Sequence, residues 1–364
     1  MKPWQTAALI GFGLSVGAIW PERWTDAFRA GTLYIFLPAL IFEAAWNLDA
    51  REMLRAWRPI VLLILPGVVL TALLVALGAH YFGGLVFPVA LLLGAILSAT
   101  DPVAVVAIFR RLRVPRALAT IVESEALLND AIAFVLYRAV VISITLGVSF
   151  QETGTIALHA LLGSIFAISL GIVAGVVFGQ ILRMRNNVVA QSIATFAAAY
   201  TVYFAADKFG WSGIFAVIAC AMTMREYDRR DAALATAEGV ERIWDRAAFI
   251  ANVLLFFLIG AAVEPLHLVA QWRPIAATLL GVGIARVVLA YGLLAFVPRM
   301  QRSWKLIVQL AGVRGALALV LALATPRVLP QSEAIVDVTF AVVLITIVAG
   351  AFTIEGRIKA LSPN

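Results

Sequence analysis

Twelve long apolar stretches, parted by short polar links, decide what this chain can become. They run over residues 4–20, 30–48, 59–81, 86–109, 117–147, 156–182, 188–206, 211–224, 246–264, 274–297, 304–326 and 334–354. A helix crossing a bilayer needs about 20 apolar residues, with roughly 17 as the lower limit. Only 13% of the 364 residues are charged, against about 25% in soluble domains. Backbone in hydrocarbon must satisfy its own hydrogen bonds, which leaves helices or closed barrels. Alternating ten-residue strands are absent, so a barrel is excluded. The expected fold is an all-α membrane protein with about twelve transmembrane helices. The 211–224 stretch is the shortest, and the charge pattern of its neighbours requires it.

Lysine and arginine set the orientation, because cytoplasmic links carry their excess. With both termini inside, 20 of the 28 basic residues fall on the cytoplasmic side and five on the other. The remaining three, Arg138, Arg286 and Arg314, lie within spans. The expected organisation is one membrane domain over 1–364, with helices in 1–224 and 246–364 joined by a cytoplasmic loop, 225–245. Lys2 followed by an apolar run resembles a signal peptide. The run is long for one and ends at Ile19-Trp20-Pro21-Glu22 without a small-residue cleavage site, so it is read as retained.

The same composition removes several function classes. The net charge of +7 is spent on orientation and not on nucleic acid. Cys220 is the single cysteine, and His80, His159 and His267 are scattered, so no metal centre is expected. Neither a nucleotide-binding motif nor any other cofactor motif is found, which argues against an ATP-driven pump.

Against this background two carboxylates stand out. Asp101 lies in Ser98-Ala99-Thr100-Asp101-Pro102 and Asp130 in Glu125-Ala126-Leu127-Leu128-Asn129-Asp130, each deep in an apolar run. An ionised group at that depth is costly unless paired or wetted, so it marks an ion or proton path. Transporters place such sites where helices break at matching positions of inverted repeats. Pro102 interrupts the fourth stretch, since proline cannot donate the continuing hydrogen bond. Gly312-Val313-Arg314-Gly315 interrupts the eleventh. The two breaks lie seven places apart in the order of spans, an odd offset, which orients their helices oppositely.

The fifth stretch carries two polar stripes. Glu125 and Asn129 lie one turn apart on one face, as suits a structural network. Asp130 is turned by about 100°, with Glu123 nearly beneath it, as suits a cation path. Glu123 either lines an inner vestibule or snorkels toward water. Buried arginine stays charged and needs a partner; Arg286 is the first candidate for Glu125 and Arg314 the second. Glu43, in Leu40-Ile41-Phe42-Glu43-Ala44-Ala45, either lends an oxygen to a cation or pairs with an arginine. Arg138 is read as a pairing or dimer-contact residue.

Together, Thr100-Asp101-Pro102-Val103-Ala104-Val105, Glu125-x-x-x-Asn129-Asp130, Gly312-Val313-Arg314-Gly315-Ala316 and Phe42-Glu43-Ala44-Ala45 resemble the sodium/proton antiporters of the NhaP/NHE type, the monovalent cation:proton antiporter-1 family. The resemblance covers nearly the whole chain. It implies an NhaA-like antiporter fold with two broken crossing helices, a core domain and a dimerisation domain. It implies that Asp130 is the proton and cation carrier, that Asp101 supports the site, and that backbone at Thr100 helps hold sodium. It also implies that Asn129 is held by Glu125 and an arginine, and that the Asn-Asp pair belongs to an electroneutral exchanger. Two departures stand. The usual Gly-Glu-Ser is Ser124-Glu125-Ala126 here, which removes a hydroxyl ligand. The family also usually has thirteen spans, one more than the twelve drawn.

The expected activity is therefore exchange of sodium or lithium for protons by alternating access, with proton and cation competing for Asp130, and no enzymatic reaction. Potassium/proton exchange and a sodium-coupled symporter of a small organic substrate are the alternatives. An intramembrane aspartyl protease would show a Gly-x-Gly-Asp turn, which neither aspartate has. The expected setting is the bacterial inner membrane, as a homodimer in lipid.

Overall fold

In the computed structural model, residues 9, 11–17, 24–101, 105–106, 108–109, 114–184, 187–230, 234–263, 265–298 and 300–361 are described. All regular structure among them is helical. In chain order the helices are α1 (Trp24–Asn47), α2 (Ala50–Arg55), α3 (Trp57–Tyr81), α4 (Phe87–Ser98), α5 (Arg116–Leu146), α6 (Phe150–Arg183), α7 (Val188–Lys208) and α8 (Gly213–Arg230). They continue with α9 (Leu234–Ala262), α10 (Pro265–Ala270), α11 (Trp272–Val287), α12 (Arg302–Leu310), α13 (Ala316–Ala324) and α14 (Ser332–Leu361). Residues 11–17 of the first apolar stretch are also helical. Seven helices among the described residues are long and apolar enough to cross a membrane, and α4 is a shorter apolar one. The chain is an integral membrane protein.

Local chemistry sets the helix ends. Ser149 closes a capping box with Glu152 at the start of α6, and the Asn187 side chain accepts from the amide of Val189 at the start of α7. Gly147 ends α5 in the left-handed region at φ 67°, where a side chain would be strained. The shortest expected span proves to be an 18-residue helix, α8.

The stretch 225–245, expected as a loop, is helix at both ends, where α8 runs to Arg230 and α9 begins at Leu234. Its Arg, Glu and Ala residues are good helix formers. Arg225 and Glu241 pair across it at 3.3 Å.

The chain forms two compact units that interleave in sequence. The first comprises Met1–Ala30, Arg51–Gly147 and Val253–Asn364. Its centre is built from α4 and α13, which are buried continuously over Val89–Ser98 and Ala316–Leu323. Helices apolar all round belong in an interior.

The second unit comprises Gly31–Ala50 and Val148–Asn252. There α6 packs on α8 through Gly171, Gly175 and Gly179, where a Cβ would meet Ala216, Thr223 and Tyr227. The rings of Trp46, Phe42, Trp244 and Phe196 form a continuous stack, and Arg225 lies over Trp46.

Candidate functional site

The site grows from two places in the first unit where helix stops. α4 ends at Ser98, and Ala99 turns to extended backbone at φ −61°, ψ 141°. α12 ends at Leu310, and helix resumes at Ala316 after an extended Gly315. Both interruptions fall where the sequence predicts them; Pro102 itself lies outside the described residues. The free backbone groups find partners across the gap. The Asp101 amide donates to the Val313 carbonyl at 2.9 Å, and Arg314 Nη1 donates to the Ala99 carbonyl at 3.3 Å. The Arg314 amide donates to Thr346 Oγ1 on α14, also at 3.3 Å.

Two glycines make this approach possible. A Cβ on Gly315 would overlap the Asp101 carboxylate, and one on Gly312 would overlap the Arg286 guanidinium. Neither residue needs the left-handed region; what each supplies is room.

α5 brings its polar stripe to the same spot. The Thr100 amide donates to Asp130 Oδ1 at 3.2 Å, while Asn129 Nδ2 lies 3.4 Å from Thr100 Oγ1. Asn129 Nδ2 lies at the same distance from Glu125 Oε1, which also accepts from Arg286 Nη1 at 2.5 Å. Arg286 is therefore the partner of Glu125. Arg314, the other candidate, spends one nitrogen on the Ala99 carbonyl.

Burial separates the roles. Glu125 is 1% exposed, Asn129 3% and Arg314 1%, whereas Asp101 and Asp130 are only half-buried. The network is thus closed to solvent, and the two aspartates stand at its partly exposed edge. Arg314 is an electrostatic neighbour of Asp130, Glu125 and Arg286, and Asp101 is a neighbour of Asp130. Among the described residues, Glu125 Oε2, Asn129 Oδ1 and Arg314 Nε and Nη2 are buried without a hydrogen-bond partner. Such a concentration of unspent polar capacity is uncommon in native interiors and typical of working sites.

Thr100, Asp101, Asn129, Asp130, Glu125, Arg286 and Arg314 are therefore brought together. Glu43 belongs to the second unit, where its Oε1 accepts from Asn47 Nδ2 at 2.8 Å. Glu123 is half-buried, and Arg138 lies near the ring of Phe134. Sequence reasoning missed Thr346, and no local signal marks a threonine that caps a distant break.

A carboxylate beside the oxygens of two interrupted helix ends can hold either a proton or a small hard cation. Comparison with known proteins agrees with that chemistry. The family model described as the transmembrane sodium/hydrogen exchanger matches residues 4–356. The Na(+)/H(+) antiporter ApNhaP of Aphanothece halophytica is 32% identical over 336 residues, covering 90% of this chain and 64% of that protein. The Na(+)/H(+) antiporter NhaG of Bacillus atrophaeus is 31% identical over 346 residues, covering 93% and 65%. The chain thus spans just under two thirds of these relatives' length. The solved sodium proton antiporter MjNhaP1 from Methanocaldococcus jannaschii superposes with a TM-score of 0.81 at 19% identity, over 98% of this chain and 92% of that one. That likeness establishes a shared fold.

Proposed function

The chain belongs to the transmembrane sodium/hydrogen exchanger family, and from that premise we propose that it exchanges sodium for protons across a membrane, with Asp130 as the carrier. The observation that carries the reading is the half-buried Asp130 carboxylate, held by the Thr100 amide at the meeting point of two broken segments. Lithium is taken as a second substrate. Potassium is the ion to be tested against both, since oxygen ligands accept any hard cation.

Charge bookkeeping favours electroneutral exchange. Arg286 and Arg314 set two positive charges against the carboxylates of Glu125, Asp101 and Asp130. Arginine stays protonated in proteins. A proton on Asp130 brings the five groups to zero, and so does one bound monovalent cation. Bare Asp130 leaves one uncompensated negative charge, which is costly to move through low dielectric. The protein therefore passes between inward- and outward-facing states when loaded with either ion and stalls when empty. Neutral Asn129 is part of this balance, since an aspartate there would add a further charge.

Asp101 and Thr100 complete the oxygen environment around the cation, Glu125 and Arg286 hold Asn129, and Arg314 anchors the crossing. The protein is read as a homodimer in the inner membrane of a bacterium, with both termini cytoplasmic as the basic-residue asymmetry requires.

The test is cation-driven proton efflux from acid-loaded liposomes containing the purified chain. Sodium, lithium and potassium are added in turn, with Asp130→Asn as control. Cation-dependent alkalinisation that vanishes in the variant is the expected result. Full exchange by Asp130→Asn would remove the carrier assignment. Sodium-dependent uptake of a labelled organic acid without proton counterflow would replace antiport by symport.

A further inference from the structure

The two broken helices are tied to each other at a second place, away from their crossing. α4 runs toward the crossing over 12 residues, α13 runs away from it over nine, and the two pack together. Beyond their far ends, about 13–18 Å of helix from the crossing, the Val86 amide donates to Gln331 Oε1 at 3.2 Å. Val86 immediately precedes α4, and its amide is one of those that a helix start leaves without an intrahelical partner. Gln331 closes the link that follows α13, and its carbonyl accepts from the Ile335 amide in the first turn of α14. His80 holds the turn before α4 as well, donating from Nδ1 to the Leu85 carbonyl at 2.7 Å.

Gln331 reaches Val86 from an unfavourable backbone. At φ 52° it is, among the described residues, the one non-glycine residue in the left-handed region. A side chain there carries a steric cost that glycine does not. Such residues persist where the surrounding structure holds them, and they gather at places that matter for function. Glycine would suit this backbone better, yet the link carries a glutamine, and the glutamine oxygen is the atom that meets α4.

We propose that Gln331 is a positioning residue for the cation site. Its side chain straps the far ends of α4 and α13, so that the Asp101–Val313 crossing at their near ends keeps one geometry for a cation beside Asp130. The proposal rests on the exchange reading above. A residue that served only the turn would differ in sign. Relaxing its backbone would then stabilise the protein and leave cation affinity as it was.

Gln331→Gly relaxes the backbone and removes the acceptor, whereas Gln331→Glu keeps an acceptor oxygen at the same reach. Val86→Pro removes the donor by a second route, at a residue whose φ of −65° already suits proline. Each is made in the full chain, alone, with the double variant Gln331→Gly/Val86→Pro added. Sodium dependence is measured in proteoliposomes, apparent melting temperature in detergent, and amide hydrogen exchange by mass spectrometry. Gln331→Gly is expected to melt no lower than the unaltered protein. It should nevertheless raise the sodium KM about threefold, the lower end of one net hydrogen bond, with kcat little changed. Gln331→Glu should restore the original KM, Val86→Pro should raise it equally, and the double variant should raise it no further. In Gln331→Gly, amide exchange should quicken at the crossing, over 99–101 and 313–316, as well as beside the strap. An unchanged KM in Gln331→Gly, a raised KM that Gln331→Glu fails to restore, or quickening confined to 84–90 and 326–335 overturns the proposal. If the unaltered chain shows no cation-driven proton movement, the antiporter reading falls, and amide exchange alone decides whether the strap acts at the crossing.

Discussion

The amide of Asp101 donates to the carbonyl of Val313 across 2.9 Å, so two interruptions of separate apolar helices satisfy each other. Either break alone would leave backbone groups unpaired in an interior without water, at several kcal/mol each. Paired, they become a stable crossing. Asp101 holds it through its backbone, while its carboxylate lies against Gly315 and beside Asp130.

The glycines at the crossing are predicted to be irreplaceable even by alanine. Gly315→Ala would drive a methyl into the Asp101 carboxylate, and Gly312→Ala would displace the Arg286 guanidinium. Each should lower sodium-driven proton exchange at least about tenfold, a misplacement loss typical of sites that depend on geometry. Gly283→Ala on α11 meets nothing within 4 Å and should retain full exchange. Equal activity in all three variants would show that the crossing tolerates displacement.

Glu125 and Arg286 form a buried pair in which each guards the other's charge. Glu125→Gln or Arg286→Gln leaves a charge uncompensated and should destabilise the protein by about 3–5 kcal/mol. The double variant should cost less than the two single ones combined. The check is the apparent melting temperature of purified protein in detergent, arranged as a double-mutant cycle. Additive losses would mean that the two residues act independently.

How much of this was legible beforehand depends on the kind of signal. The breaks at 99–101 and 311–315 announce themselves, because aspartate with proline, or arginine between glycines, has no bland place in an apolar run. The Glu125/Asn129 stripe follows from helical period alone. The 225–245 stretch reads as a loop because a polar helix and a loop share the same composition. Thr346, which accepts from the Arg314 amide, was invisible, since packing between helices far apart in sequence leaves no local pattern. Assigning Glu43 to the second unit required tertiary contacts for the same reason.

Thr100 meets α5 twice, by its amide to Asp130 and by its hydroxyl to Asn129. Thr100→Val keeps the first contact and loses the second, which at 3.4 Å is long. The expected consequence is a decrease in exchange of no more than about fivefold, one modest hydrogen bond, with Thr100→Ser unaffected. Initial rates in proteoliposomes at fixed pH provide the measurement. A complete loss in Thr100→Val would mean that Asn129 depends on threonine more than on Glu125.

Competition at Asp130 predicts a pH dependence with a definite sign. A carboxylate that carries a proton cannot also carry sodium, so acid on the sodium-loading side lowers the fraction of sites open to the cation. As pH falls through the range where the proton dominates, the apparent sodium KM should rise about tenfold per pH unit. The maximal rate should stay unchanged, because enough sodium displaces the proton. At high pH on the opposite face the limit is reversed. Sodium loads readily, but the return step lacks its proton, and the bare carboxylate does not cross, so the maximal rate should fall. Sodium titrations at a series of pH values, varied on one face while the other is held constant, separate the two limbs. A sodium KM that stays constant while the maximal rate alone falls on the acid side would place the controlling proton on a group other than the carrier, and would require a sensor apart from Asp130.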